Sequence, residues 1–321
     1  MPTARLFVAS GGRLLPLDGG TAVIPTEPGG GGDNPPPVGN VNAMLVGAAG
    51  VNLSGSDFAA LDAAAGPYTS RRVYEDAAIG FPFTTWAASR GGMDVGKRAS
   101  VWSCKPDLAG LKSGAYDAKI TAFVRTIPDT HVAFLTCWHE VDGKIRKGTT
   151  DPSGATITLA AWLPAIRRFC DAVHAAGKPH VYTSLILEAW SGQHPTAGSR
   201  YEDIWPGDGY IDVFAVDGYS NTGTGVALWG PAVTFASSKQ IPWAIAEVGC
   251  AGTMDTSWMQ AQADYATTHK AGGKHTKCAF FCFFSNTVGG VLATPGSDGS
   301  AQAKSKSIAQ ANFVDVNSYV L

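Results

Sequence analysis

The chain has 321 residues, 45% of them hydrophobic and 16% charged, with a formal net charge of −2. That is enough apolar material for one large domain or two ordinary ones, and too little charge to keep most of the chain disordered. The near-neutral balance, without a basic stripe, argues against a nucleic-acid partner, and no apolar run reaches the ~18 residues of a membrane span.

Residues 1–24 read as a small β element, because "RLFVAS" and "RLLPL" flank Gly11-Gly12, a hairpin-like turn signal. This N-terminus lacks the apolar stretch and cleavage site of a secretory signal. Gly and Pro dominate residues 25–40, "PTEPGGGGDNPPPVGN", which cannot bury a face and read as a linker. A domain boundary falls there, and residues 41–321 form the main domain.

From residue 43 short apolar runs recur: 43–50, 71–78, 99–105, 131–140, 180–187, 210–220, 241–250 and 277–286. Several are near-continuously apolar and rich in Val, Ile and Phe, as strands covered on both faces are. Helical patterns lie between many of them. Residues 158–178 stop at Gly177 with Pro179 beyond; residues 255–273 start at a potential N-cap, Asp255; residues 54–66 and 114–128 behave likewise. The helix after the second run has the weakest pattern. Eight strands alternating with helices in about 280 residues predict an α/β fold, the (β/α)8 TIM barrel. A doubly wound open sheet is the alternative, but "GAAGVNLSG" lacks the glycine spacing of a phosphate loop.

The six cysteines form no CxxC pair and most lie in apolar runs, so they read as buried free thiols rather than metal ligands. No cofactor or metal is expected.

In such a barrel the chemistry lies at the C-terminal ends of the strands. The fourth run exits through "TCWHEVDGK" with Trp138, His139 and Glu140; the seventh carries Glu247 in "WAIAEVG", flanked by Ala246 and Val248. An unpaired carboxylate is costly in such a run, so both glutamates stand out. Across a barrel mouth they could act as a pair, and their spacing would separate a retaining glycosidase (~5–5.5 Å) from an inverting one (~6.5–9.5 Å). Lys105, Glu188 and Trp190, Asp217 and Tyr219, and Ser285 and Asn286 mark other exits. Asp217 and Asp212 read as structural. Nine tryptophans, with Trp102, Trp138, Trp190 and Trp243 near exits, suggest a cleft on which sugar rings could stack, at least half of them being core.

The His-Glu pair in "WHEVDG", the later Glu247 and the segment "IDVFAVDGYS" resemble clan A glycoside hydrolases, most of all glycoside hydrolase family 26, the mannanase and lichenase family. By strand order the resemblance covers roughly residues 42–290. It implies a retaining, two-glutamate hydrolase of a β-linked polysaccharide, endo-acting, with Glu140 as acid/base and Glu247 as nucleophile. It also implies that Tyr219 supports the nucleophile and His139 orients substrate or carboxylates. Lys105, Trp138, Trp190 and Glu188 are further candidates for substrate contact. The acid should have a raised pKa and the nucleophile should stay ionised, which splits the pair. "VDGKIRKGTT" after the pair and "FFSN" at the eighth exit replace Trp-bearing segments usual in that family, and the sugar stays open.

A chitinase-type barrel would carry D-x-x-D-x-D-x-E, which is absent. The small β element, linker and barrel together resemble a phage tail protein with a depolymerising domain, residues 1–24 attaching to other virion tail proteins. A catalytically inactive glycan-binding or structural barrel is the alternative.

Overall fold

Runs of Val, Ile, Phe and Ala can bury both faces of a strand only if the sheet is covered inside and out. The computed structural model describes residues 7–10, 13–16, 43–50, 55–93, 97, 99–250, 255–269, 278–285, 299–312, 314, 316, 319 and 321. The chain divides into two units, Met1–Pro37 and Val38–Leu321.

In the first unit, β1 (Phe7–Ser10) and β2 (Arg13–Pro16) pair antiparallel, Ser10 opposite Arg13. This is the hairpin that the Gly11-Gly12 signal predicts. The linker 25–40 lies outside the described residues. Removal of residues 1–40 is expected to leave the remaining chain folded, with Tm within about 4 °C of the whole protein, a shift worth roughly 1 kcal/mol at this size. Aggregation of the shortened chain in size-exclusion chromatography would show instead that the segment covers barrel surface.

In the second unit eight strands close a parallel barrel in chain order. They are β3 (Leu45–Gly50), β4 (Ser70–Ala78), β5 (Ala99–Pro106), β6 (Val132–Cys137), β7 (Val181–Glu188), β8 (Val213–Tyr219), β9 (Trp243–Gly249) and β10 (Phe280–Ser285). The ring closes where Phe280 of β10 pairs with Leu45 of β3. Each strand falls within two or three residues of an end of its apolar run, and the fold is the expected (β/α)8 barrel.

Ten described helices are α1 (Gly55–Ala65), α2 (Leu108–Ser113), α3 (Asp117–Arg125), α4 (Val141–Arg146), α5 (Leu159–His174), α6 (Ala189–Gln193), α7 (Tyr201–Ile204), α8 (Gly225–Ser238), α9 (Thr256–Thr268) and α10 (Gly299–Ala311). Asp255 caps α9, accepting from the amides of Ser257 and Trp258 at 2.9 Å. Between β4 and β5 only two single 3₁₀ turns are described, Trp86–Ala88 and Arg90–Gly92. Aromatic packing does a helix's work there. Phe81, Phe83 and Trp86 cluster on Trp102 and Phe123 with ring centroids 5.1–6.4 Å apart.

All six cysteines are free and buried, as their apolar settings suggest. Among the described residues no helix is long and apolar enough to cross a membrane.

Register shifts interrupt three of the barrel's ladders, β4–β5, β8–β9 and β9–β10, and two of them bear on the strand exits. Tyr74 pairs with Ser103 and Ala77 with Lys105, so Glu75 and Asp76 together oppose one residue of β5. Val216 pairs with Ile245 but Asp217 with Glu247, so Ala246 is the extra residue in β9. Bulges of this kind re-aim side chains and concentrate beside active sites.

Candidate active site

The bulge at Ala246 sets Glu247 directly beside Asp217 at the upper end of the barrel. On each contributing strand the alternation of side chains brings residues two apart to the same face: Arg72 and Tyr74, Ser103 and Lys105, Asp217 and Tyr219. Glu140 reaches the same place differently. At the end of β6 the chain turns into α4 through Trp138 (φ +58°) and Glu140 (φ +53°), both in the left-handed region. Such conformations cost about 1–3 kcal/mol each for non-glycine residues and persist where the surroundings fix them. Here the Trp138 indole donates to the Pro106 carbonyl at 2.7 Å, and the Glu140 amide donates to the Ile186 carbonyl at 2.8 Å.

These residues surround a cavity of about 400 Å³, lined by Tyr74, Glu75, Asp76, Ala77, Arg90, Lys105, His139, Glu140, Tyr219, Glu247 and Phe284. Its size suits a small-ligand pocket. A larger cleft of about 600 Å³ lies among α6, α7 and α8, but its lining includes no charged group except Glu202.

Oxygen atoms of Glu140, Asp217 and Glu247 lie within 4.8 Å of one another. This trio is also the described grouping with the spacing to hold a cation. Glu247 is 4% exposed and accepts hydrogen bonds from the hydroxyls of Tyr74, at 2.5 Å, and Tyr219. The Arg72 guanidinium is 3.9 Å from it. Arg72 is itself fully buried, donating to Ser103 Oγ at 2.6 Å and stacking over the Tyr74 ring at 4.2 Å. Burial, and then the Glu140 charge, hold the Glu247 carboxyl above its ordinary range, against the pull of Arg72 and the two tyrosines. Desolvation thus outweighs the hydrogen bonds at this carboxyl.

Asp217 is likewise pushed well up, by burial and by the charges of Glu247 and Glu140. Neither of its oxygens has a described hydrogen-bond partner. It is not the strand-end pairing residue that the sequence suggested. Asp212 does have that role, bonded to His174 at 3.1 Å and to the Thr183 amide at 2.9 Å. His139 is held well below its ordinary pKa by burial and by Arg72, Lys105 and Lys144, so a neutral imidazole lines the pocket, 5.1 Å from the Tyr74 ring.

The structure thus gathers Glu140, Glu247, His139, Tyr219 and Lys105 in one pocket and places three other candidates elsewhere. Glu188 pairs with Arg146 and Lys147, and it packs so closely on Gly143 that a Cβ there would collide with its Oε1. Trp190 packs against Arg146, 4.2 Å from its ring, and stacks with His194, 4.6 Å away. Trp138 is 3% exposed and serves the turn rather than the pocket. Trp102 and Trp243 are fully buried. The expected tryptophan-lined cleft is therefore absent among the described residues, whose pocket aromatics are Tyr74, Tyr219 and Phe284. Asn286 lies outside the described residues, as does the side chain of Ser285. Sequence reasoning missed Tyr74 and Arg72. The available signal was an arginine inside a strand run, a charge that only a buried partner offsets.

No protein-family model matches the sequence, and no curated protein matches it. Solved structures do. The catalytic domain of the Bacillus sp. JAMB-750 family 26 endo-β-1,4-mannanase superposes with a TM-score of 0.57 at 15% identity, covering 84% of this chain and 86% of that one. The Bacteroides ovatus family 26 β-mannanase gives 0.54 at 13%, covering 87% and 93%. A glucosidase from Croceicoccus marinus gives 0.57 at 13%, covering 86% and 69%. At such identities the likeness is one of fold: this chain has the (β/α)8 barrel fold of the family 26 glycoside hydrolases.

Proposed function

We propose that the chain is a retaining glycoside hydrolase that cleaves a β-linked polysaccharide through Glu140 and Glu247. The observation that carries this reading is the approach of the two carboxylates to within 4.8 Å at the exits of β6 and β9. Oxygens that approach this closely suit the ~5–5.5 Å carboxyl spacing of a retaining enzyme better than the ~6.5–9.5 Å spacing of an inverting one. Glu247 attacks the anomeric carbon while Glu140 gives its proton to the departing glycosidic oxygen. Water then attacks the glycosyl ester, Glu140 takes its proton, and Glu247 leaves as carboxylate. Tyr74, Tyr219 and Arg72 hold the nucleophile in place. The likeness to endo-β-1,4-mannanases supports an endo mode on a β-linked main chain.

Proton NMR of the first product tests this. Retention of the β anomer is expected, with a spread of oligosaccharide lengths. An α product would overturn the mechanism, and the absence of new reducing ends from any β-glycan would favour the inactive, glycan-binding alternative. Attachment of residues 1–24 to a virion tail rests on composition alone, and the likenesses in fold do not bear on it.

Tyr219→Phe gives a second check. Its hydroxyl favours the charged form of Glu247, so its loss drives that carboxyl further up. The acid limb of the kcat/KM profile should start above the ordinary Glu value of about 4.3 in the wild type and move to still higher pH in the variant. At optimum pH kcat should fall about 10–100-fold, a loss of about 1.4–2.7 kcal/mol. An unmoved acid limb would remove Tyr219 from the nucleophile's support.

A further inference from the structure

Four basic side chains surround the two glutamates, and three are engaged. Arg72 is bound to Ser103 and faces Glu247; Lys144 pairs with Glu140 at 3.2 Å; Arg90 grips Asp76 at 2.7 Å and the Tyr74 carbonyl at 2.8 Å. The fourth, Lys105, stands half-buried at the exit of β5 and lines the same cavity. Among the described residues its ammonium has neither a hydrogen-bond nor an ion-pair partner. A desolvated cation without a partner is costly, and a pocket retains one where the ligand supplies the anion. The carboxylates of Glu140, Glu247 and Asp76 would repel an anionic sugar, so such a sugar needs a cation on the pocket wall to be admitted at all.

We propose that Lys105 adapts this site to β-glycans whose sugar beside the scissile bond carries a carboxylate, the ammonium pairing with that group. The inference rests on the hydrolase reading above and narrows its substrate class to acidic glycans. One lone ammonium matches one singly charged substituent. Burial and the neighbouring Lys144 also push the Lys105 pKa down, against the pull of Glu140, and an incoming carboxylate would reverse that direction.

Substrate pairs that share a main chain and differ only at C6 provide the test: β-1,4-mannan oligosaccharides against β-1,4-mannuronate oligosaccharides, and β-1,4-gluco-oligosaccharides against their C6-oxidised counterparts. Reducing-end release and calorimetric binding are measured for wild type, Lys105→Met and Lys105→Arg. The wild type is expected to prefer the carboxylated member, less so as salt rises. Lys105→Met should lower kcat/KM on that member at least tenfold more than on its C6-alcohol twin, and Lys105→Arg should restore most of the difference. Preference for the neutral member, or equal losses on both, would overturn the proposal while leaving the hydrolase standing. Lys105-dependent binding of the carboxylated oligosaccharides without cleavage would uphold the anion site and overturn the hydrolase. Binding of neither member by the wild type would overturn both.

Discussion

Glu247→Gln is expected to lower kcat by about 10⁴-fold or more while leaving the protein no less stable. The catalytic half follows from chemistry: a carboxamide cannot form and release a glycosyl ester as a carboxylate does, and loss of a nucleophile that acts as part of a unit typically costs several orders of magnitude. The stability half follows from the surroundings. Glu247 sits beside Asp217 and Glu140, and its carboxyl is held above its ordinary range. A carboxyl whose folded pKa lies above its unfolded value binds extra protons in the folded state. Stability therefore falls as pH rises from the ordinary Glu range through the raised folded value, and the cost stays at its full size above that. Glutamine escapes this cost at neutral pH and can still accept from one tyrosine. Tm at pH 7 should equal or exceed that of the wild type, and the difference should shrink as pH falls into the ordinary Glu range. A 2-fluoro glycoside of the correct sugar should add its glycosyl mass to wild type on the peptide that holds Glu247. Full turnover in the variant, or labelling of another peptide, would displace Glu247 from the role. A sharp fall in Tm would show that its charge holds Arg72 rather than serving chemistry.

Glu140→Ala should separate substrates by leaving group. Glu140 stands at the pocket wall with Lys144 at 3.2 Å and lies within 4.8 Å of the nucleophile. As the acid, it matters when the departing oxygen needs a proton. Polysaccharide hydrolysis should drop by about 10²–10⁴-fold, the range of general acid catalysis. A dinitrophenyl glycoside, whose leaving group departs as a stable anion, should lose less than about tenfold in its first step. The second step also needs Glu140, as base for water. The variant should therefore show a burst of dinitrophenolate followed by slow turnover, and azide should rescue turnover by giving a β-glycosyl azide, since azide needs no deprotonation. Equal losses on both substrates with no azide effect would make Glu140 a structural residue of the turn into α4.

The sequence shows the barrel clearly for a physical reason. A strand buried on two faces must be apolar at every position, so each of β3 to β10 leaves a run, and a glutamate at such a run's end is conspicuous. Glu140, Glu247, His139, Tyr219 and Lys105 were legible in this way, each at or near a strand exit. Helix signals were legible where caps are chemical, as at Asp255. They failed at α8, "GVALWGPAVTFASS", which is apolar nearly all round and so shows little of the alternation between a buried and an exposed face. They failed too between β4 and β5, where bulky rings fill the layer without a repeating pattern.

What chain order and residue type determined, then, was the barrel, the ring of strand exits and the two glutamates that stand at them. Only the tertiary structure decided which neighbours those glutamates have. Tyr74 and Arg72 act on a carboxylate about 175 residues away in the chain, a contact made by closure of the ring and by alternation along β4. The pairing of Asp217 with Glu247 depends on one extra residue in β9, and a one-residue shift of register moves a side chain to the opposite face. Trp138, Trp190 and Glu188 have the same sequence character as residues in the pocket, yet indole and carboxylate alike were taken up by the turn and by α4. A side chain's type is local, but its partners are set by packing across the barrel.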